Sequence, residues 1–133
     1  MTIISKEVAI QDKLSSIFDE LINQKENIRK ELVHTRNRYK SICELHISSG
    51  FTTEYDWVLA TDNHQEKYLQ YDAYCYLIDL LTDYRDIEGY FPEYEDMLYN
   101  LEQLMFKFAS AEQYEVSAII KCWLSKFLNS MPN

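Results

Sequence analysis

The stretch Tyr68–Asp96, YLQYDAYCYLIDLLTDYRDIEGYFPEYED, decides how this chain is read. Set Asp72 at zero and step about 100° per residue. Ala73, Tyr74, Leu77, Ile78, Leu80, Leu81, Tyr84 and Ile87 then fall on an arc from roughly 60° to 240°. Asp72, Asp79, Asp83 and Asp86 fall within about 40° of zero, on the opposite side, with Tyr68 and Tyr76 at its edges. This separation predicts a helix of about six turns with a core side and a carboxylate ridge. The stretch holds seven of the eleven tyrosines. From Asp72 to Asp96, eight acids oppose Arg85 alone, so −7 of the chain's −9 lies here.

Two meanings of this ridge follow from physical chemistry. One is a solvated face, whose tyrosines cover apolar surface with the ring and reach water with the hydroxyl. The other is a partner-binding face, because tyrosine offers large contact area at low entropic cost and a single-sign field speeds encounter with an opposite charge. The candidate partner-binding residues are Tyr68, Asp72, Tyr76, Asp79, Asp83, Asp86, Glu88, Tyr90, Glu93 and Tyr94.

Outside this stretch, the 133-residue length fits one helical bundle domain spanning 1–133, and 47% apolar content excludes a disordered chain. Two glycines and two prolines are too few for an all-β fold. The acidic balance disfavours nucleic acid and anionic membranes, and favours a basic protein partner. The start Met1-Thr-Ile-Ile-Ser-Lys-Glu lacks a long apolar signal core, and no apolar run reaches the roughly 18 residues of a membrane span. Cys43, Cys75 and Cys122 are widely spaced and odd in number, as expected of small core residues in a reducing compartment. A soluble cytoplasmic protein is the expectation.

Ser5 to Ile47 contains neither Gly nor Pro. Leu14, Phe18, Leu21, Lys25, Ile28, Leu32, Thr35, Tyr39, Ile42 and His46 follow one another by alternating steps of four and three, a bundle or coiled-coil seam. One helix of this length reaches roughly 60 Å, longer than a compact domain of this size, so it bends or protrudes. Breaks are conceivable at Asn23–Asn27 and His34–Asn37; one long helix is the preferred reading. The bases Lys25, Arg29, Lys30, Arg36, Arg38 and Lys40 suit the C-terminal half of that helix, or face the acidic stretch inside the fold. Gly50 is a natural left-handed cap. Thr53 with Asp56 begins a short helix carrying Trp57, Val58 and Ala60. Asp62 with Gln65, or Asn63 with Glu66, then starts the central helix, which ends near Gly89. Pro92 sits in the first turn of the next helix, whose core face is Tyr94, Met97, Leu98, Leu101, Leu104, Met105 and Phe108. Ser110 with Gln113 starts a last helix through Val116, Ile119, Ile120, Trp123, Leu124, Phe127 and Leu128, with Pro132 beyond its end. Without Gly or Pro between them, the last two helices could also fuse. The fold expected is an all-α bundle of four to five helices with a long first helix. Two such helices from different chains offer a route to a homodimer.

No catalytic residue is assigned. Glu31–His34 matches one Glu-x-x-His unit, but a di-iron site needs two such units and two more inward glutamates, so neither metal nor cofactor is expected. Arg29-x4-His34 resembles the Arg-x(4–6)-His pattern of HEPN-type ribonucleases, which are also all-α. On an uninterrupted helix these two side chains stand about 140° apart. In size, acidity and Tyr/Asp-rich helical surface, the chain resembles small helical immunity proteins that neutralise bacterial nuclease toxins. Tyr68, Asp72, Tyr76, Asp79, Asp83, Asp86, Tyr90 and Tyr94 carry that likeness. It implies an inhibitor whose carboxylates pair with the lysines and arginines that otherwise hold phosphates. A DNA-mimic regulator of a nucleic-acid-binding protein is the alternative, and a HEPN-like ribonuclease a second.

Overall fold

The 4–3 seam of the first helix organises the observed fold. In the computed structural model, which describes residues 3–131, four α-helices follow in order. They are α1 (Ile3–Ser48), α2 (Glu54–Thr82), α3 (Tyr94–Ser110) and α4 (Tyr114–Ser130). All described residues outside them lie in turns or irregular segments, so the protein is an all-α bundle of four helices. Pro132 lies outside the described residues, as do Met1 and Thr2.

α1 runs unbroken through both polar stretches, and every position of the seam from Leu14 to His46 is buried or half-buried. Its 46 residues make a rod about 69 Å long, whereas the 17 residues of α3 or α4 make about 26 Å. α1 must therefore outrun the bundle. Its seam packs against antiparallel α2 throughout, and α3 and α4 cover only one end. There Leu14, Phe18, Leu21 and Ile28 of α1 meet Ala73, Tyr74, Leu77, Ile78 and Leu81 of α2. Met97, Leu98, Leu101 and Leu104 of α3, with Val116, Ile120, Trp123, Leu124 and Phe127 of α4, complete the core. Trp123 Nε1 donates to the Tyr74 hydroxyl at 3.0 Å with the rings edge-on, so the one polar atom of each ring is satisfied inside. Burial pushes the Tyr74 phenol above its usual pKa, against the opposing effect of that bond.

Beyond this head, α1 and α2 continue as a two-helix arm. His46 stacks on Trp57 (5.3 Å, 7°) and shares a hydrogen bond of 3.1 Å with the Thr53 hydroxyl. Tyr39 stacks on His64, which bonds Thr35. Lys67 reaches Glu31 at 2.9 Å. Gly50 closes the arm at φ +73°, as its place after α1 predicts, and Phe51 follows it at φ +66° with its ring edge-on to His46.

Several boundaries differ from expectation. The short helix at Thr53 and the central helix are one element, α2. Asp62 and Asn63 are exposed mid-helix residues, and Thr53 makes no cap because its hydroxyl serves His46. Trp57 and His64 both lie on the seam, and Ala60 is buried between them, so the helix that carries them has no reason to break. α2 ends at Thr82, seven residues before Gly89. Asp83 keeps helical dihedrals and Tyr84 still packs on the core, but Asp86 and Ile87 leave the helical phase, and Ile87, expected in the core, is fully exposed (105%). Neither Ser110 nor Gln113 forms a capping box, and α3 and α4 stay separate because Ala111–Gln113 turns the chain, with Glu112 at φ +61°. The cysteines are free thiols. None is fully buried, and Cys122 is exposed because it points away from the Trp123–Leu124 face of α4.

An arm sealed by two helices opens more easily than a four-helix head. Hydrogen-exchange mass spectrometry is expected to show faster exchange for Arg36–Trp57 amides than for Leu77–Leu81 or Leu98–Leu101. Equal protection along α1 would contradict this division.

Candidate functional site

Between α2 and α3 the chain Asp83–Glu93 forms a loop clamped from several sides. Tyr84 and Arg85 donate to the Leu81 and Thr82 carbonyls, which tightens the last turn of α2. Asp86–Ile87–Glu88–Gly89 then forms a β-turn, with Gly89 N–H bonded to the Asp86 carbonyl at 3.1 Å and Gly89 at φ +87°. Asp86 Oδ1 accepts the N–H groups of Glu88 (3.0 Å) and Tyr90 (2.9 Å). From α1, the Gln11 amide clasps the Phe91 backbone twice, donating at 3.0 Å and accepting at 2.7 Å. Ser15 donates to the Gly89 carbonyl. Phe91 is the loop's root: its ring is wholly buried (0%), edge-on to Phe18 at 5.7 Å. The Arg85 guanidinium lies 4.7 Å over Phe18 and 5.6 Å over Phe91, and its Nε donates to the Gly89 carbonyl. A Cβ at Gly89 would stand 3.3 Å from Arg85 Nη2, so both the φ and the space call for glycine. Asn100 of α3 donates to the Tyr84 hydroxyl and ties the loop to the third helix.

This frame places the ten candidate residues. Tyr68, Asp72, Tyr76 and Asp79 are exposed along one line of α2, and Asp83 continues it past the helix end. Asp86, Glu88 and Tyr90 are exposed on the loop, and Glu93 is exposed just before α3. Tyr94 is half-buried; burial raises its phenol pKa, and the Glu7 and Glu95 carboxylates add to the rise. Tyr76 is held edge-on against Phe108 at 6.0 Å. Shallow hollows run on from one another across this surface. The first joins Tyr76, Asp79, Leu80 and Asp83; the next joins Asp83, Asp86, Pro92 and Glu93; a third joins Asp86, Tyr90 and Pro92 to Glu7, Val8 and Gln11. Shared residues make the face from Tyr76 to Glu7 continuous, while Tyr68 and Asp72 extend it towards the arm. A chain of shallow hollows suits a protein surface better than a small ligand, which requires concavity.

The charge of this face is not neutralised within the fold. The ion pairs among the described residues are Glu26–Arg29, Glu31–Lys67 and Glu20–Lys126. Arg36 and Arg38 take part in none, and the base of that run seen against the stretch is Lys25, whose ammonium lies 6.0 Å over the Tyr71 ring without an ion pair. Arg85, the one base within that stretch, is turned inward over aromatic rings. Asp86 differs from the other acids, because one of its oxygens builds the turn.

Sequence reasoning missed Ile87, Glu7, Val8 and Gln11. For Ile87 a signal existed: Asp86 and Gly89 occupy the first and fourth positions of a type I turn, where Asp and Gly are favoured. Nothing local marks Glu7, Val8 or Gln11.

Arg29 and His34 are not brought together: Glu26 holds the Arg29 guanidinium at 2.6 Å, and His34 is exposed. His46 and His64 belong to the arm seam. Among the described residues no group of three or more His, Cys, Asp or Glu side chains is placed to hold a metal ion. No helix is long and apolar enough to cross a membrane among those residues. No family model, curated protein or solved structure matches the chain.

The clamp has a measurable cost of removal. Gln11→Ala leaves the Phe91 backbone groups without partners and is expected to lower stability by about 1–3 kcal/mol in chemical denaturation. An unchanged unfolding midpoint would show that the loop is not held from α1.

Proposed function

We propose that this protein is a non-enzymatic inhibitor of a basic protein, of the immunity or antitoxin kind, that blocks a nuclease toxin through its acidic, tyrosine-lined face. The observation that carries this reading is the loop Asp83–Glu93. A multiply anchored turn presents a fully exposed isoleucine at its tip, flanked by Asp86 and Glu88, which form no ion pair among the described residues. Asp72, Asp79, Asp83, Glu88 and Glu93 would meet lysines and arginines that otherwise hold nucleic-acid phosphates. Rim charges of this kind mainly raise the association rate. Ile87, Tyr90 and Tyr76 would be the drier anchors that slow dissociation. Because the loop is already ordered, little entropy is lost on docking. The partner's substrate surface is then occupied, and no chemistry is asked of this chain. Three free thiols support a cytoplasmic setting.

A DNA mimic acting on a nucleic-acid-binding protein would use the same carboxylates. Exposed apolar side chains among the carboxylates, Ile87, Tyr90 and Tyr76, favour a partner with apolar contact surface over one that reads phosphates alone.

The test is capture from lysates of the native host and its competitors on immobilised protein, followed by a nuclease assay with whatever is retained. A basic nuclease, retained at low salt, released as salt rises and inhibited at one-to-one ratio, is the expected outcome. The double change Asp79→Asn with Asp83→Asn should mainly slow association. Ile87→Ala should speed dissociation roughly 30-fold, or about 2 kcal/mol of lost burial. An acidic partner, or binding indifferent to salt and to both variants, would refute the proposal.

A further inference from the structure

The arm obeys a different electrostatic rule from the head. Residues 29–70 carry six bases and six acids, so the arm is neutral in a chain of net charge −9. The signs are sorted by helix. Residues 29–48 hold five bases against two acids, and residues 54–70 hold four acids against one base. Within the arm only Lys67 and Glu31 join the two helices by an ion pair, while Arg36, Lys40, Glu54 and Asp62 have none among the described residues.

This sorting has a geometry. Thr35, Tyr39 and His46 of α1 touch α2 through His64 and Trp57. Arg36, Lys40 and Ile47 each follow one of them, so they point about 100° away from the seam. On α2, Thr53 and Trp57 touch His46. Glu54 and Val58 each follow one of those, and Asp62 lies one turn beyond Val58. Antiparallel helices wind in opposite senses when viewed from one end, so a one-residue step on either turns to the same flank of the pair. Arg36, Lys40, Ile47, Glu54, Val58 and Asp62 therefore line one flank, and all six are exposed. Ile47 (65% exposed) and Val58 (43%) are large apolar side chains left in water there.

No single-sign partner suits such a flank. Nucleic acid or an anionic membrane meets repulsion from α2, and a basic protein meets it from α1. A second copy, turned about a two-fold axis along the arm, sets each α1 against the other α2 and satisfies both. The seam fixes the register, with Thr35 opposite His64 and His46 opposite Trp57. Asp62 of the second copy then falls between Arg36 and Lys40, and its Val58 between Lys40 and Ile47. We infer that the arm is a self-association surface, through which two copies pair flank to flank into a four-helix stem. This leaves the loop Asp83–Glu93 free, while Asp72 and Asp79 lie further along α2 on the same side as Glu54 and Val58.

Sedimentation of the full chain over a concentration series, with helicity followed by circular dichroism, tests this. A dimer that weakens with salt is expected. The reversals Arg36→Glu with Lys40→Glu, and separately Asp62→Lys, should each weaken it by about tenfold or more. Mixing the two variants should restore a dimer, since both contacts again pair opposite charges. A monomer at every concentration, a dimer indifferent to both reversals, or a mixture that fails to recover it overturns the inference. Should a reversal lose helicity, Val58→Ser supplies the same readout: a weakened dimer supports the pairing, and an unchanged one overturns it.

Discussion

The antiparallel contact between α1 and α2 has two kinds of neighbour along its length, and the rest of the structure depends on that difference. At one end α3 and α4 close over it, and the seam is aliphatic and aromatic: Leu14, Phe18, Leu21 and Ile28 against Tyr74, Leu77 and Leu81. Two short helices cannot follow a rod of 46 residues, so further along the seam has only two walls. A pair of helices alone buries Ala60 and His46 but leaves the other seam side chains half-exposed. There Leu32 and Ile42 share the seam with Tyr39 stacked on His64, His46 stacked on Trp57, and the hydrogen bonds Thr35–His64 and Thr53–His46. No buried side-chain polar atom among the described residues lacks a partner. The half-exposure of the arm seam thus follows from the number of covering helices.

The loop after α2 shows a second constraint. Eight acids from Asp72 to Asp96 share one base, and that base is spent on the core. Arg85 roofs Phe18 and Phe91 when it could have screened its neighbours Asp83 and Asp86. Self-repulsion among exposed carboxylates opposes compactness. A sequence optimised for stability alone would have placed lysines between them, and this one does not. The clasp by Gln11, the buried Phe91 and the turn built by Asp86 hold the loop against that repulsion.

The first helix was legible in the sequence because most of its 4–3 positions from Leu14 to His46 are apolar and no Gly or Pro interrupts them. The apolar faces of α3 and α4 and the cap at Gly50 were legible for the same local reasons. The limits of α2 were not. Asp62 with Gln65 and Asn63 with Glu66 are better local starts than Thr53 with Asp56, yet none of them forms a side-chain cap. Long-range packing of Trp57, Ala60 and His64 against α1 decides that boundary. The far end is decided by Gln11 and Phe91, eighty positions apart, which no local pattern connects. Ile87 stays in phase with the helix on paper. It leaves that phase because the chain must turn to bury Phe91. The acidic residues were legible as a set, but the apolar tip among them was not.

The single α2 gives these separate features a common frame. Its 29 residues make a rod of about 43 Å. The arm tip stands at one end, and the clamped acidic loop stands at the other. A break at Asp62 would have placed a hinge between the two, and their separation would then vary with thermal motion. Without it, the neutral, sign-sorted flank and the single-sign face are held apart by one continuous helix braced against α1. Pairing through the arm would therefore leave two acidic loops at fixed separation, and a partner that is itself oligomeric could engage both. The second contact would then form at high effective concentration, with no new interaction required of either surface. Because the axis of that pairing runs along the arm, both loops would stand at the same end of the pair, and the lateral offset between the copies would set their separation.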